Sequence, residues 1–146
     1  MESLVKLVPA MARILLSLIF IQGGINKLGA IGATAANMAS HGVPLSDILV
    51  YGATLLELGG GLMLLSGVYA RWAALALALY TLVLALVFHA YWTMPPEQVR
   101  AQHGAFFEHL AMIGGMLYVV AFGAGPYSVD AAFRRVTGGT SRLATT

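Results

Sequence analysis

The chain lacks cysteine and carries little charge. None of its 146 residues is a cysteine, which excludes disulfides, thiolate catalysis and Cys-ligated metal. Any redox chemistry must then use a bound cofactor or a partner chain. Charged residues make up only 10% and hydrophobic residues 59%, against about 25% charged in an ordinary globular domain. A soluble domain of this length could not bury so much apolar surface. The net charge of +2 is too small and dispersed to favour a nucleic-acid partner.

Four apolar stretches account for most of the sequence: residues 9–28, 46–66, 72–92 and 106–122. Each is close to the ~20 residues that a helix needs to cross ~30 Å of hydrocarbon. The predicted fold is therefore all-α, an integral membrane four-helix bundle. A single domain over residues 1–137 is followed by a Gly/Thr/Ser-rich tail over residues 138–146 that we expect to be disordered. We also expect a short interfacial helix over residues 33–40.

The distribution of basic residues predicts the orientation. Four spans put both termini on one side of the membrane, and the positive-inside rule makes that side the cytoplasm. The terminal side would carry Lys6, Arg13, Arg71, Arg134, Arg135 and Arg142, and the other side only Lys27 and Arg100. Arg13 lies one turn into the first span, from where we expect it to snorkel to the interface.

Glu57 is the only acidic residue near the middle of a predicted span. A charged side chain there costs about 2.5–3.5 kcal/mol on insertion scales, so such residues usually face a protein interior or a cavity. A buried carboxyl is either protonated or neutralised by a cation. Lys27 and Arg13 are the candidate cations, from opposite ends of the first span. Glu57 is then either a ligand-binding or proton-exchanging group, or a structural hydrogen-bonding group between helices.

Further polar groups collect toward the predicted outer face. They are Gln22, Asn26 and Lys27 in the first span, His89 in the third, and Glu108 and His109 in the fourth. Imidazole suits proton exchange and hydrogen bonding to a carbonyl. We predict that these residues and Glu57 line a polar pocket that opens outward. The alternative is that the histidines only hydrogen-bond head groups or water.

A metal site is not predicted from these residues. Histidine and carboxylate are common zinc ligands, but no HExxH or comparable spacing occurs, and the adjacent Glu108 and His109 point about 100° apart on a helix. If a metal were bound, the candidate ligands would be His89, His103, Glu108 and His109.

At these positions the chain resembles the DoxX family of small four-helix bacterial inner-membrane proteins. Residues 20–27, FIQGGINK, are similar to the family's F-x-x-x-G-x-x-K, and residues 106–110, FFEHL, to its F-x-K-N-L. Further matches follow in order at residues 41–44, 56–61, 67, 71, 89–92 and 125–130. Glu108 and His109 stand where relatives often have Lys-Asn, which favours a cation, a metal or a protonatable pair over an anion there. The resemblance implies a multi-pass inner-membrane protein linked to redox metabolism.

Three functions are compatible with this sequence. The first is a quinone-interacting subunit or partner of a membrane oxidoreductase, with a quinone as the expected cofactor and no redox centre of its own. The second is a small-solute or ion transporter that uses Glu57, which would require an oligomer because four spans form a thin-walled bundle. The third is a scaffold that recruits a redox or detoxifying enzyme. In each, the lipid bilayer and either a second copy or a membrane complex are the expected partners.

Overall fold

A computed structural model describes residues 1–140. Every regular element in that range is helical, which confirms the predicted all-α class. The elements are α1 (Glu2–Gly29), α2 (Ile31–Ser40), α3 (Ser46–Ser66), α4 (Ala70–Phe88), a 3-10 turn (Tyr91–Thr93), α5 (Pro96–Phe122) and α6 (Val129–Thr140). Four segments of the described range are long and apolar enough to cross a membrane: Leu4–Gly29, Ser46–Ser66, Ala70–Thr93 and Pro96–Phe122.

The helix bounds agree with the predicted spans best for α3, which begins and ends as expected. α5 begins ten residues before the predicted span, at Pro96, because proline is tolerated in the first helical turn and does not act there as a breaker. α4 ends at Phe88, earlier than predicted. α6 runs to Thr140, so the first residues of the predicted disordered tail are helical, and residues 141–146 lie outside the described range.

The bundle has two distinct ends. The α2 end holds the end of α1, the short helix α2 and the α4–α5 connection. A short helix was predicted over residues 33–40, and α2 begins two residues earlier, at Ile31. The α6 end holds the start of α1, the α3–α4 hairpin and α6. α1 packs most extensively on α3, and α4 on α5. Large buried side chains, led by Leu64, Leu77 and Met116, fill the core.

Glycines set the close approach of α1 and α3. A Cβ built on Gly24 would lie 2.5 Å from Leu58 Cγ, and one on Gly61 would lie 2.9 Å from Ile21 Cγ1. Helices in lipid associate through such close packing of small residues, because lipid tails are as apolar as leucine. Any larger residue at Gly24 or Gly61 would push the two helices apart.

Arg13 does not snorkel, which corrects the expectation for this residue. It is 3% exposed and donates to the carbonyl oxygens of Leu64 (2.7 Å), Leu65 and Tyr127 (2.8 Å). The last carbonyls of a helix have no intrahelical partner and carry partial negative charge, and two of the acceptors lie in the last turn of α3. Arg13 therefore ties α1 to the end of α3 and to the α5–α6 connection.

Candidate functional site

Three helices bring together a buried, hydrogen-bonded triad. Lys27 Nζ on α1 lies 2.8 Å from both carboxylate oxygens of Glu57 on α3. The Tyr80 hydroxyl on α4 donates to Glu57 Oε1 at 2.8 Å. Of the two cations that the sequence offers for Glu57, the structure pairs it with Lys27. The ion pair and the Tyr80 bond together satisfy a carboxylate that is only 4% exposed.

Gly23 makes room for this carboxylate on α1. A Cβ built on Gly23 would lie 3.0 Å from Glu57 Oε2, which is too close for an unshifted side chain. Gly23 and Lys27 are four residues apart and so lie on the same face of α1. That face presents an opening for the carboxyl group and, one turn later, the ammonium group that neutralises it.

The hydrogen-bonding capacity of the triad is not exhausted. An ammonium group has three donors, and Lys27 uses two on Glu57. A phenol hydroxyl is both donor and acceptor, and Tyr80 uses its proton on Glu57. One N–H donor and one oxygen acceptor are therefore left for a molecule next to the triad. The triad itself carries no net charge, since one ammonium group balances one carboxylate.

A cavity of about 680 Å³ lies beside the triad. Lys27 and Tyr80 line it, while Glu57 lies behind them, out of contact with the cavity. Its other polar lining comes from Asn26, Thr34, Asn37 and His89. The remaining walls are almost wholly apolar and come mainly from α2, the α2–α3 connection, α3 and α4. They include Met38, Val43, Leu49, Leu56, Val83, Leu84, Val87 and Phe88. The volume falls within the 300–1,000 Å³ usual for a small-molecule site.

The predicted site residues divide between the cavity and its surroundings. Lys27, Asn26 and His89 line the cavity. Gln22 lies on an exposed part of α1, because it is about 100° around the helix from Gly23. Glu108 is exposed on α5, a helix that contributes nothing to the cavity lining. The pocket is thus built by α1 to α4, and the predicted contribution of the fourth span is absent.

Histidines join α4 to α5 behind the cavity. His89 Nδ1 lies 2.7 Å from Gln102 Oε1, and its ring centroid is 4.6 Å from that of His109. His109 Nδ1 also lies 2.7 Å from the Ala105 carbonyl oxygen. His103 lies apart, with its ring 4.8 Å from that of Tyr91. Within residues 1–140, no three His, Asp or Glu side chains converge in a way that could hold a metal ion.

The bond between Tyr80 and Glu57 was not predicted from the sequence. The available signal was the depth of Tyr80: a tyrosine hydroxyl well inside an apolar span needs a hydrogen-bond partner. The roles of Thr34 and Asn37 on α2 were also missed, since nothing in the sequence shows that this helix covers the cavity.

Comparisons with known proteins give the family. The DoxX family model matches residues 8–90. The chain belongs to the DoxX family. It is 34% identical over 119 residues to "Inner membrane protein YqjF" and 30% identical over 119 residues to "Inner membrane protein YphA", both of Escherichia coli strain K12. The alignments cover 82% of this chain and 86% and 85% of these relatives. No solved structure matches the chain.

The DoxX match contains the whole candidate site. All residues that line the cavity lie between Gly23 and His89, inside the matched range of 8–90. Together with the four apolar helices, the DoxX relatives identify this chain as a multi-pass protein of the bacterial inner membrane. All of α5 and all of α6 lie beyond the family match.

Proposed function

We propose that this DoxX-family protein binds the head group of a quinone, or a small neutral ligand of the same hydrogen-bonding type, as a subunit or partner of an inner-membrane oxidoreductase. The observation that carries the proposal is the Lys27–Glu57–Tyr80 triad at the edge of a largely apolar cavity. The distribution of basic residues supports a position of the cavity toward the periplasm, as the positive-inside rule predicts.

The chemistry of the triad matches this class of ligand. A quinone carbonyl would accept the free N–H of Lys27, and the hydroxyl of the reduced quinol would donate to the free lone pair of Tyr80. An anion would meet a triad with no net charge, and its transfer into apolar walls would be costly. A neutral ring with oxygen atoms therefore fits better than a charged metabolite.

Reduction of a quinone to a quinol takes up two electrons and two protons. We assign the electrons to the partner oxidoreductase, since this chain has no dithiol couple. Lys27 is the group that would contact the carbonyl oxygen, with Glu57 holding the ammonium in place. His89 also lines the cavity, and an imidazole is suited to exchanging protons there.

Quinone binding can be tested on the purified full-length protein. Solvent extraction and mass spectrometry should find quinone above the amount carried by co-purified lipid. A short-chain quinone should bind about tenfold more weakly to Lys27→Met and several-fold more weakly to Tyr80→Phe, as expected for a lost hydrogen bond. Gln22→Ala is the matched control, because Gln22 is a polar residue of α1 outside the cavity. No extracted quinone at any lipid ratio, together with equal affinities for all variants, would refute the proposal.

Transport is less well supported by the packing. A buried ion pair on membrane helices is common along ion and proton pathways, and Lys27–Glu57 is such a pair. However, Leu64, Leu77 and Met116 fill the core, and Arg13 closes the α6 end through its three carbonyl bonds. Flux into proteoliposomes that is abolished by Glu57→Gln would favour transport. Full complementation of a deletion strain by Glu57→Gln and by His89→Ala would favour a scaffold.

A further inference from the structure

A second cavity, of about 470 Å³, lies at the α6 end. It is formed where the start of α4, the end of α5 and the start of α6 meet, and it shares no lining residue with the first cavity. Its lining includes two arginines, Arg71 and Arg134, with the single carboxylate of Asp130. Two positive groups against one negative group leave the lining with one net positive charge. The lining of the first cavity has one lysine and no acidic residue, but that lysine is neutralised by Glu57 behind it.

The α5–α6 connection shapes this cavity. Gly123 and Gly125 both have positive φ, +83° and +79°, a conformation that favours glycine. A Cβ on Gly123 would lie 3.3 Å from Arg71 Nε, so the guanidinium lies directly against the glycine backbone. The connection therefore leaves space for Arg71 at the cavity wall.

Asp130 and Arg71, two of the charged residues that line the cavity, differ in their hydrogen bonding. Asp130 Oδ1 accepts the backbone N–H of Tyr69 at 3.1 Å, which commits part of the carboxylate to the start of α4. Among the residues that the structure describes, Arg71 makes no hydrogen bond or ion pair. Its guanidinium therefore keeps its full set of donors, in the fork geometry that binds phosphate through two parallel bonds.

Exposed apolar side chains surround these arginines. Trp72 and Phe122 line the same cavity and are 70% and 68% exposed. On α6, Val129, Phe133 and Val136 form an exposed apolar stripe at helical spacing. Tryptophan and tyrosine are enriched at the level of the lipid head groups. A phosphate held by Arg71 would thus have apolar surface beside it for acyl chains.

We propose that the cavity at the α6 end binds the phosphate of an anionic phospholipid head group. The guanidinium group of Arg71 would hold the phosphate in a cavity that Arg134 also lines, and the exposed faces of Trp72 and Phe122 would contact the first acyl carbons. The α6 end carries most of the basic residues, so it faces the cytoplasm under the positive-inside rule, and anionic lipid attracts basic residues at that surface. This inference is independent of the proposed quinone site.

Native mass spectrometry of the full-length protein tests the proposal, with phosphatidylglycerol compared against phosphatidylcholine of the same acyl chains. The wild type should retain phosphatidylglycerol preferentially. Arg71→Gln should reduce that preference several-fold, and Arg71→Gln combined with Arg134→Gln about tenfold. Arg71→Lys, which keeps the charge but loses the fork, should reduce it several-fold while leaving the folded protein intact.

Two matched controls distinguish a specific lipid-binding site from general attraction of anionic lipid to positive charge. Arg135→Gln removes a charge from α6 outside the cavity lining, and Arg100→Gln removes one at the opposite end of the bundle. Both should keep nearly the full lipid preference. If Arg135→Gln loses as much as Arg71→Gln, the cavity is not the site. If millimolar inorganic phosphate stabilises the lipid-free protein or displaces phosphatidylglycerol, the ligand is a soluble phosphate and the lipid proposal fails.

Discussion

α1 carries one buried cation at each end of the bundle, and the two are held in opposite ways. Lys27, at the α2 end, pairs with the carboxylate of Glu57 and keeps 22% of its side chain exposed. Arg13, at the α6 end, is 3% exposed and binds only backbone carbonyls. The Lys27–Glu57 pair lies beside a cavity, whereas the Arg13 side chain is buried between helices.

This difference distinguishes residues that can bind a ligand or exchange a proton from residues that hold the fold together. Backbone carbonyl groups at a helix end are held by the helix and do not change protonation. Arg13 therefore keeps the same partners and holds the helices around it in place. A carboxylate, an ammonium and a phenol can all exchange partners, and Lys27 still has a donor to offer. The residues that determine stability should therefore cluster at the α6 end, and those that determine ligand binding at the α2 end.

Replacing Arg13 should have the largest effect on stability. In Arg13→Met, the carbonyls of Leu64, Leu65 and Tyr127 lose a shared donor inside the protein, at a cost of about 1–3 kcal/mol for each unsatisfied group. We expect a loss of about 3 kcal/mol or more in the free energy of unfolding, measured by reversible SDS titration in mixed micelles. Arg13→Lys should recover only part of this, because an ammonium cannot reach three acceptors with the geometry of the guanidinium fork. Unfolding of Arg13→Met at the wild-type SDS fraction would show that these bonds do not stabilise the fold.

Breaking the Lys27–Glu57 pair should have a smaller and asymmetric effect. Lys27→Met leaves a carboxyl group that is only 5% exposed, and we expect a loss of about 2–3 kcal/mol. Glu57→Gln leaves an ammonium that water in the cavity can reach, so the loss should be about half as large. The double variant Lys27→Met with Glu57→Gln should be more stable than the sum of the two losses predicts, and the difference measures the coupling. Strict additivity would mean that the pair does not stabilise the protein.

The fold was more predictable from the sequence than the site. The bounds of α3 follow from its apolar run and its flanking turns, and Lys27 could be proposed as a partner for Glu57 because both had to be neutralised. Helix rotation could not be predicted, because lipid-facing and buried positions are equally apolar and hydrophobic periodicity is lost. That is why Gln22, rather than Gly23, was expected at the pocket.

The same limit explains the two errors at α5. The polar start of α5, residues 96–105, was interpreted as a loop because only apolar residues were used to mark the spans, but this segment is helical. Glu108 was expected at the pocket because it lies near the start of the fourth apolar stretch, but a position in the sequence does not show the direction in which a side chain points. The structure turns Glu108 outward and leaves His109 as the contact to His89.

The smallest predicted effect concerns the space that Gly23 provides. Gly23→Ala places a methyl group 3.0 Å from Glu57 Oε2, so the carboxylate has to shift away from Lys27 or Tyr80. We expect a loss of about 1–2 kcal/mol in stability, typical of overpacking, and weaker ligand binding at the neighbouring cavity. Gly59→Ala is the matched control, because no atom lies within 4 Å of a Cβ at that position. It should be neutral or slightly stabilising, since alanine is favoured over glycine inside a helix. If Gly23→Ala lowers stability but leaves binding unchanged, the triad at the α2 end is as purely structural as the arginine at the α6 end, and the contrast between the two cations disappears.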